Sequence, residues 1–180
     1  MALRNGPAEF GLVTRVIHWG TMFLVIGQLA LGNRIEEMQP GLANLWLYGL
    51  HKTLGFAILA LVLARIAWHI ASPPPTPLGP RNAAFRAARA AHWAFYVLLI
   101  AIPLTGWAGS SATGIDTMIA DRWIVPPLVA ASAEAEALWF RLHDILAKAL
   151  FGLIVLHMLG ALKREMEGDG TLTRMLRGRV

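Results

Sequence analysis

The stretch Arg141–Glu165, RLHDILAKALFGLIVLHMLGALKRE, decides the fold. It is a nearly uninterrupted apolar run of bilayer-crossing length with basic residues at both ends, the signature of a transmembrane helix. It also carries His143 and His157. An imidazole inside lipid is costly unless it holds something. Fourteen residues of helix stop about 40° short of four full turns and rise about 21 Å. The two histidines therefore share one face at opposite depths, and each needs its own partner from another helix.

The rest of the chain fits a bilayer protein. Of 180 residues, 56% are hydrophobic and 15% charged, with a mean hydropathy of +0.53; a soluble domain is about 45–50% apolar and about 25% charged. Cysteine is absent, which excludes disulfides, iron–sulfur ligation, thiolate catalysis and covalent c-type haem attachment. Any metal must be held by His, Met or carboxylates. The net charge of +5 is spread around apolar spans rather than gathered on one soluble face, so it speaks for membrane topology and against nucleic-acid binding. The opening MALRNGPAEFGLVTRVIHWG has no short apolar core followed by a small-residue cleavage site, and no signal peptide is expected.

Four spans are predicted, over residues 16–32, 47–72, 90–111 and 139–162, forming one all-α, integral-membrane four-helix bundle across residues 1–180. The prolines after Ser72 stop the second span, and Pro103 inside the third is tolerated as in other membrane helices. The connection 110–138, containing DRWIVPP, is expected to fold over the bundle's rim. Lys and Arg outside the spans concentrate in the N-terminus, the loop between spans two and three, and the tail. The other two connections carry fewer basic residues beside Glu36, Glu37, Asp116, Asp121, Glu134 and Glu136. The positive-inside rule then places both termini in the cytoplasm, and an even number of spans requires them to share a side. Trp19, Trp46, Trp68, Trp93, Trp107 and Trp139 fall at span ends, the pattern of an interfacial belt.

That orientation supplies the missing partners. His51 opens span two level with His143, and His18 opens span one level with His157. Two stacked pairs, His18/His157 and His51/His143, follow from spacing and sidedness. Facing imidazoles in an apolar bundle suit the axial positions of haem iron better than zinc, which wants four converging ligands. Fourteen residues on from His18, His51 and His92 stand Gly32, Arg65 and Gly106. The glycines would let a flat macrocycle approach the backbone, and Arg65 would pair with a propionate or else snorkel to the interface. Gly55 and Gly152 also thin the helices near the proposed ligands. His92, at the cytoplasmic level, is open to three readings: replacing His18 as the partner of His157, bonding a propionate, or moving protons. His69 reads as interfacial, and Lys148 lies off the ligand face.

The segments RVIHWG, HKTLGFAILALVLARIAW, HWAFYVLLIAIPLTGW, LHDILAKALFGLIVLHMLGALKRE and DGTLTRML, in this order and across nearly the whole chain, resemble the bacterial cytochrome b561 family. The resemblance implies a dihaem b-type cytochrome of the bacterial inner membrane. It implies that His18 and His157 ligate the cytoplasmic-side haem and His51 and His143 the periplasmic-side haem, and that the histidine at His92 is not an axial ligand. A member of that family oxidises superoxide and reduces ubiquinone; related subunits relay electrons between a peripheral redox enzyme and quinone. The similarity across the full span favours the stand-alone type. The expected activity is one-electron transfer from superoxide to ubiquinone, with Lys52, Arg122 and Arg141 able to attract the anion; the alternatives are the relay subunit and, last, a haem-free structural or transport bundle. The stretch around Arg122 and Trp123 is less similar to the family.

Overall fold

Long apolar runs satisfy their backbone groups internally, and the capping residues fix where they begin. In a computed structural model that describes residues 2–39 and 41–179, helix α1 covers Leu12–Glu37, α2 Leu45–Ala71, α3 Ala83–Ala112 and α4 Ala133–Met166. All four are long and apolar enough to cross a membrane. Each predicted span is present, and the helices run on beyond the apolar cores because hydrogen-bonded propagation continues until a cap or a proline ends it. Asn82 accepts from the Phe85 N–H at 3.1 Å to start α3, and Ser132 accepts from the Ala135 N–H at 3.3 Å to start α4. Helix α4 opens with Glu134 and Glu136 and closes with Lys163 and Arg164, complementing its dipole at both ends.

A hairpin and a short helix stand outside the four predicted spans. Strands β1, Thr117–Ile119, and β2, Trp123–Val125, form an antiparallel hairpin in the connection expected to cover the rim. Ala120 and Asp121 turn it with φ of 52° and 50°, the left-handed backbone of primed hairpin turns. The Ala120 N–H donates to Thr53 Oγ1 at 2.8 Å, seating the hairpin on α2 two residues from His51. A short helix α5, Thr171–Arg177, follows α4.

The two termini meet at one end. The Phe10 N–H donates to the Gly178 carbonyl at 2.8 Å, and the Arg15 guanidinium donates to the carbonyls of Met175 and Leu176. Arg174, 5% exposed, lies over the Phe10 ring and gives two hydrogen bonds to the Thr76 carbonyl, each 3.0 Å. Asn5 bonds both the hydroxyl and the carbonyl of Ser72. Arg164 reaches the Leu78 carbonyl and Asp169. Partial burial opposes ionisation of Asp169, but the bonds from Thr171 and Arg164 outweigh it and hold its carboxyl below the usual range. The basic tail is thus a structural clasp on the loop after α2 as well as a collection of surface charge.

Helix α1 packs on α2, α2 on α3, and α3 most extensively on α4. The backbones of α1 and α2 make few or no close approaches to α4. The apolar centre of the bundle is Val25, Ile58, Val62 and Leu150, surrounded by Leu29, Ile66, Phe95 and others. Phe23, Val97, Phe151 and Leu156 stay more than half exposed, as lipid-facing side chains do. The tryptophans divide: Trp46 and Trp93 are exposed, whereas Trp19, Trp68 and Trp107 donate to Met175 O, Thr14 Oγ1 and Pro126 O and tie the ends of the bundle together.

Candidate cofactor-binding site

The seams that the backbones leave open are where the histidines meet. The ring centres of His51 on α2 and His143 on α4 are 6.0 Å apart with planes at 76°. Those of His18 on α1 and His157 on α4 are 6.4 Å apart at 59°. Both couples bridge helices whose backbones make few or no close approaches, joined through the apolar core of Val25, Ile58, Val62 and Leu150.

At the first couple the rings are held by backbone. His143 Nδ1–H donates to the Ile102 carbonyl at 2.9 Å, with Thr105 Oγ1 at 3.5 Å. That carbonyl also accepts from Thr105 Oγ1 at 2.9 Å, and Gly106 leaves room for the ring: a Cβ there would lie 3.0 Å from His143 Cε1 and Nδ1. The same device recurs opposite, where a Cβ on Gly32 would lie 3.2 Å from His51 Cε1. Gln28 Nε2 donates to the His51 carbonyl at 2.6 Å. Both glycines thus accommodate imidazole edges. A Cβ on Gly55 would meet only Gln28 Nε2 at 3.6 Å, and one on Gly152 would meet nothing within 4 Å.

The second couple is more polar. Arg65 Nη2 lies 3.2 Å from His18 Nδ1; a guanidinium only donates, so Nδ1 accepts and the ring proton is on Nε2. Arg65 therefore turns inward and does not snorkel. It also stands beside Tyr96, with Cζ 6.0 Å from the ring centre, and Tyr96 Oη lies 3.0 Å from His69 Nδ1. His92, exposed, has its ring centre 5.6 Å from that of His157, and Phe95 closes on the same ring at 5.2 Å. His69, read as merely interfacial, belongs to this network. Its link to Tyr96 joins two helices and has no signal in the spacing of either. Lys148 points away, paired with Asp144 at 2.7 Å and Glu36 at 3.8 Å.

Four apolar spans with imidazole couples set at two depths across open seams define a class of membrane bundle suited to hold a group between its helices. The class has a family: residues 9–178 match the sequence model described as prokaryotic cytochrome b561. The chain is 34% identical to "Cytochrome b561 homolog 2" of Escherichia coli (strain K12) over 98% of its own length and 95% of the relative's. It is 31% identical to "Probable superoxide oxidase CybB" of Yersinia pestis over 89% of its own length and 91% of the relative's. The chain belongs to the prokaryotic cytochrome b561 family, whose members are membrane electron-transfer proteins with b-type haem.

The residues present suit that group. Nitrogen–metal bonds of about 2.0–2.1 Å on opposite sides of one metal place two imidazole centres roughly 6.3 Å apart. The separations of 6.0 and 6.4 Å match this, and the 5.6 Å between His92 and His157 is shorter.

Proposed function

We propose that the protein holds two b haems, one between His51 and His143 and one between His18 and His157, and moves single electrons from superoxide on one side of the membrane to ubiquinone on the other. The single observation that carries the reading is the presence of two imidazole couples of metal-bridging width, at two levels, on helices whose backbones make few or no close approaches. A haem with both axial positions filled supplies one-electron transfer and no open coordination site for substrate.

The chain's own residues do the rest. His143 is fixed by the Ile102 carbonyl so that Nε2 faces the seam, the usual outer support of a ligating histidine. Arg65 serves a propionate, a better partner than the imidazole it bonds in this structure because a carboxylate accepts bidentately; His18 Nδ1 is then free to carry its own proton while Nε2 faces the metal. His92 is assigned no axial role, in keeping with the family resemblance and its shorter distance to His157. By the positive-inside rule, the end bearing both termini is cytoplasmic and the hairpin end periplasmic, in a bacterial inner membrane. Lys52, Arg122 and Arg141 lie toward the hairpin end, where they raise the local concentration of a small anion. Two superoxide ions each lose one electron and leave as dioxygen; one quinone gains both electrons and two protons to become quinol.

The name of the Yersinia relative supports superoxide as donor. Purified protein should show reduced absorbance bands of six-coordinate haem at two haems per chain. His143→Ala should remove one haem and spare the other. A superoxide source should reduce the haems and a short-chain ubiquinone should reoxidise them. Haems that stay oxidised under superoxide would end the donor assignment, and co-purification of a flavin, nickel or molybdenum enzyme would favour the relay-subunit reading.

A further inference from the structure

The polar chain that begins at His18 has a far end that the reading above leaves unused. His69 lies one turn beyond Arg65 near the end of α2. Its Nδ1 is 3.0 Å from Tyr96 Oη, while its Nε2 is buried and has no hydrogen-bond partner. The proton's place follows from the neighbours. Arg65 is a permanent cation beside the Tyr96 phenol, so the phenol turns its lone pairs to the guanidinium and its O–H toward His69. His69 Nδ1 accepts that bond, and the ring's own proton sits on Nε2. A buried N–H aimed at nothing is costly and uncommon in native proteins. The acceptor it lacks must come from outside the chain.

We infer that His69 Nε2–H is the hydrogen-bond donor to a carbonyl oxygen of a membrane quinone, seated at the ends of α2 and α3 beside the His18/His157 couple. This deepens the quinone reading proposed above and rests on it. Three observations select a quinone head group. The donor stands near the end of an apolar span, on a residue that is only partly buried. Ile70, next to His69 in sequence, and Trp93, whose ring centre is 6.4 Å from that of Tyr96, are 78% and 67% exposed and offer apolar and aromatic surface to a flat ring. The linkage His69–Tyr96–Arg65 runs from the donor toward the His18/His157 couple, so an acceptor held there lies close to its source of electrons. Reduction to quinol takes two electrons through the cytochrome and two protons from the water that borders this end of α2. His69 holds the carbonyl, and Tyr96 and Arg65 are positioning residues that aim it.

The test uses the full holoprotein in detergent, titrated with a short-chain ubiquinone. Binding is read without turnover by quenching of tryptophan fluorescence, and haem reoxidation is read separately. His69→Leu should raise the half-saturating quinone concentration about 3- to 10-fold, the value of one hydrogen bond, while haem content, spectrum and reduction by superoxide stay as in the parent. His69→Gln, which keeps an N–H donor, should recover part of the affinity, and Tyr96→Phe should weaken binding as well. If His69→Leu loses haem, Tyr96→Phe carries the test. Unchanged quinone binding in a haem-replete variant overturns the assignment and leaves the quinone reading standing. A parent protein that neither binds nor reduces quinone overturns both.

Discussion

An inward-turned cation on α2 distinguishes the two imidazole couples. Arg65 reaches His18, and among the described residues no carboxylate forms an ion pair with it. At the other level His143 donates to a carbonyl and is followed by Asp144, already paired with Lys148. A positive charge in a low-dielectric site favours the reduced, less positive state of a neighbouring haem. The sign survives whichever partner Arg65 takes: if it neutralises a propionate, its removal leaves that negative charge uncompensated, and potential falls again. Arg65→Gln should therefore lower the midpoint of one haem by on the order of 100 mV, from a unit charge roughly 7 Å away at an effective dielectric near 20. The other haem should keep its midpoint. An optical redox titration separates the two waves. The reduction order expected of the parent, with the His18/His157 haem the more oxidising, sends electrons toward the end where the termini meet.

Packing at the level of helices depends on the glycines that let rings and helices approach. Gly106→Leu should displace the His143 imidazole, since even a Cβ would lie 3.0 Å from it, and should cost the haem of that couple. Gly27→Leu, on a face where a Cβ meets nothing within 4 Å, should leave both haems in place; haem stoichiometry measured on the two variants decides. The hairpin makes an independent prediction. Ala120 holds φ of 52°, a conformation that costs a side chain roughly 1–2 kcal/mol, so Ala120→Gly should slow proteolytic nicking of residues 117–125. Thr53→Val, which removes the acceptor for the Ala120 N–H, should speed it. These elements also mark where the sequence was readable. The four spans and the depth of each histidine follow from apolar length and a fourteen-residue step, properties local to one helix. The hairpin was hidden because its strands are three residues long and its turn uses Ala-Asp in place of the Asn-Gly or Asp-Gly that signals a primed turn. Helix α5 was hidden because seven residues carry too little periodicity and gain their stability from contacts. The inward turn of Arg65 and its link through Tyr96 to His69 depend on how α1, α2 and α3 are rotated against one another, which no spacing along one chain segment encodes.

For the molecule as a whole, sidedness determines which couple meets which reactant. The clasp of Phe10, Arg15 and Arg174 on α5 and on the loop after α2 puts both termini and that loop at one end, and the hairpin with the α1–α2 connection lies at the other. The clasped end collects most of the arginines, so the positive-inside rule predicts that this end faces the cytoplasm. The absence of cysteine makes the orientation testable with single introduced thiols. Leu42 and Asp116 are exposed at the hairpin end, Arg81 and Arg177 at the clasped end. In right-side-out vesicles a membrane-impermeant maleimide should label Leu42→Cys and Asp116→Cys at once, and Arg81→Cys and Arg177→Cys only after the membrane is opened. The reverse pattern would put the Arg65 couple on the outer side and invert the direction of electron flow, because the more oxidising haem would then face the superoxide. Labelling at the clasped end together with the potentials of the two haems thus fixes the direction of transfer without any assay of turnover.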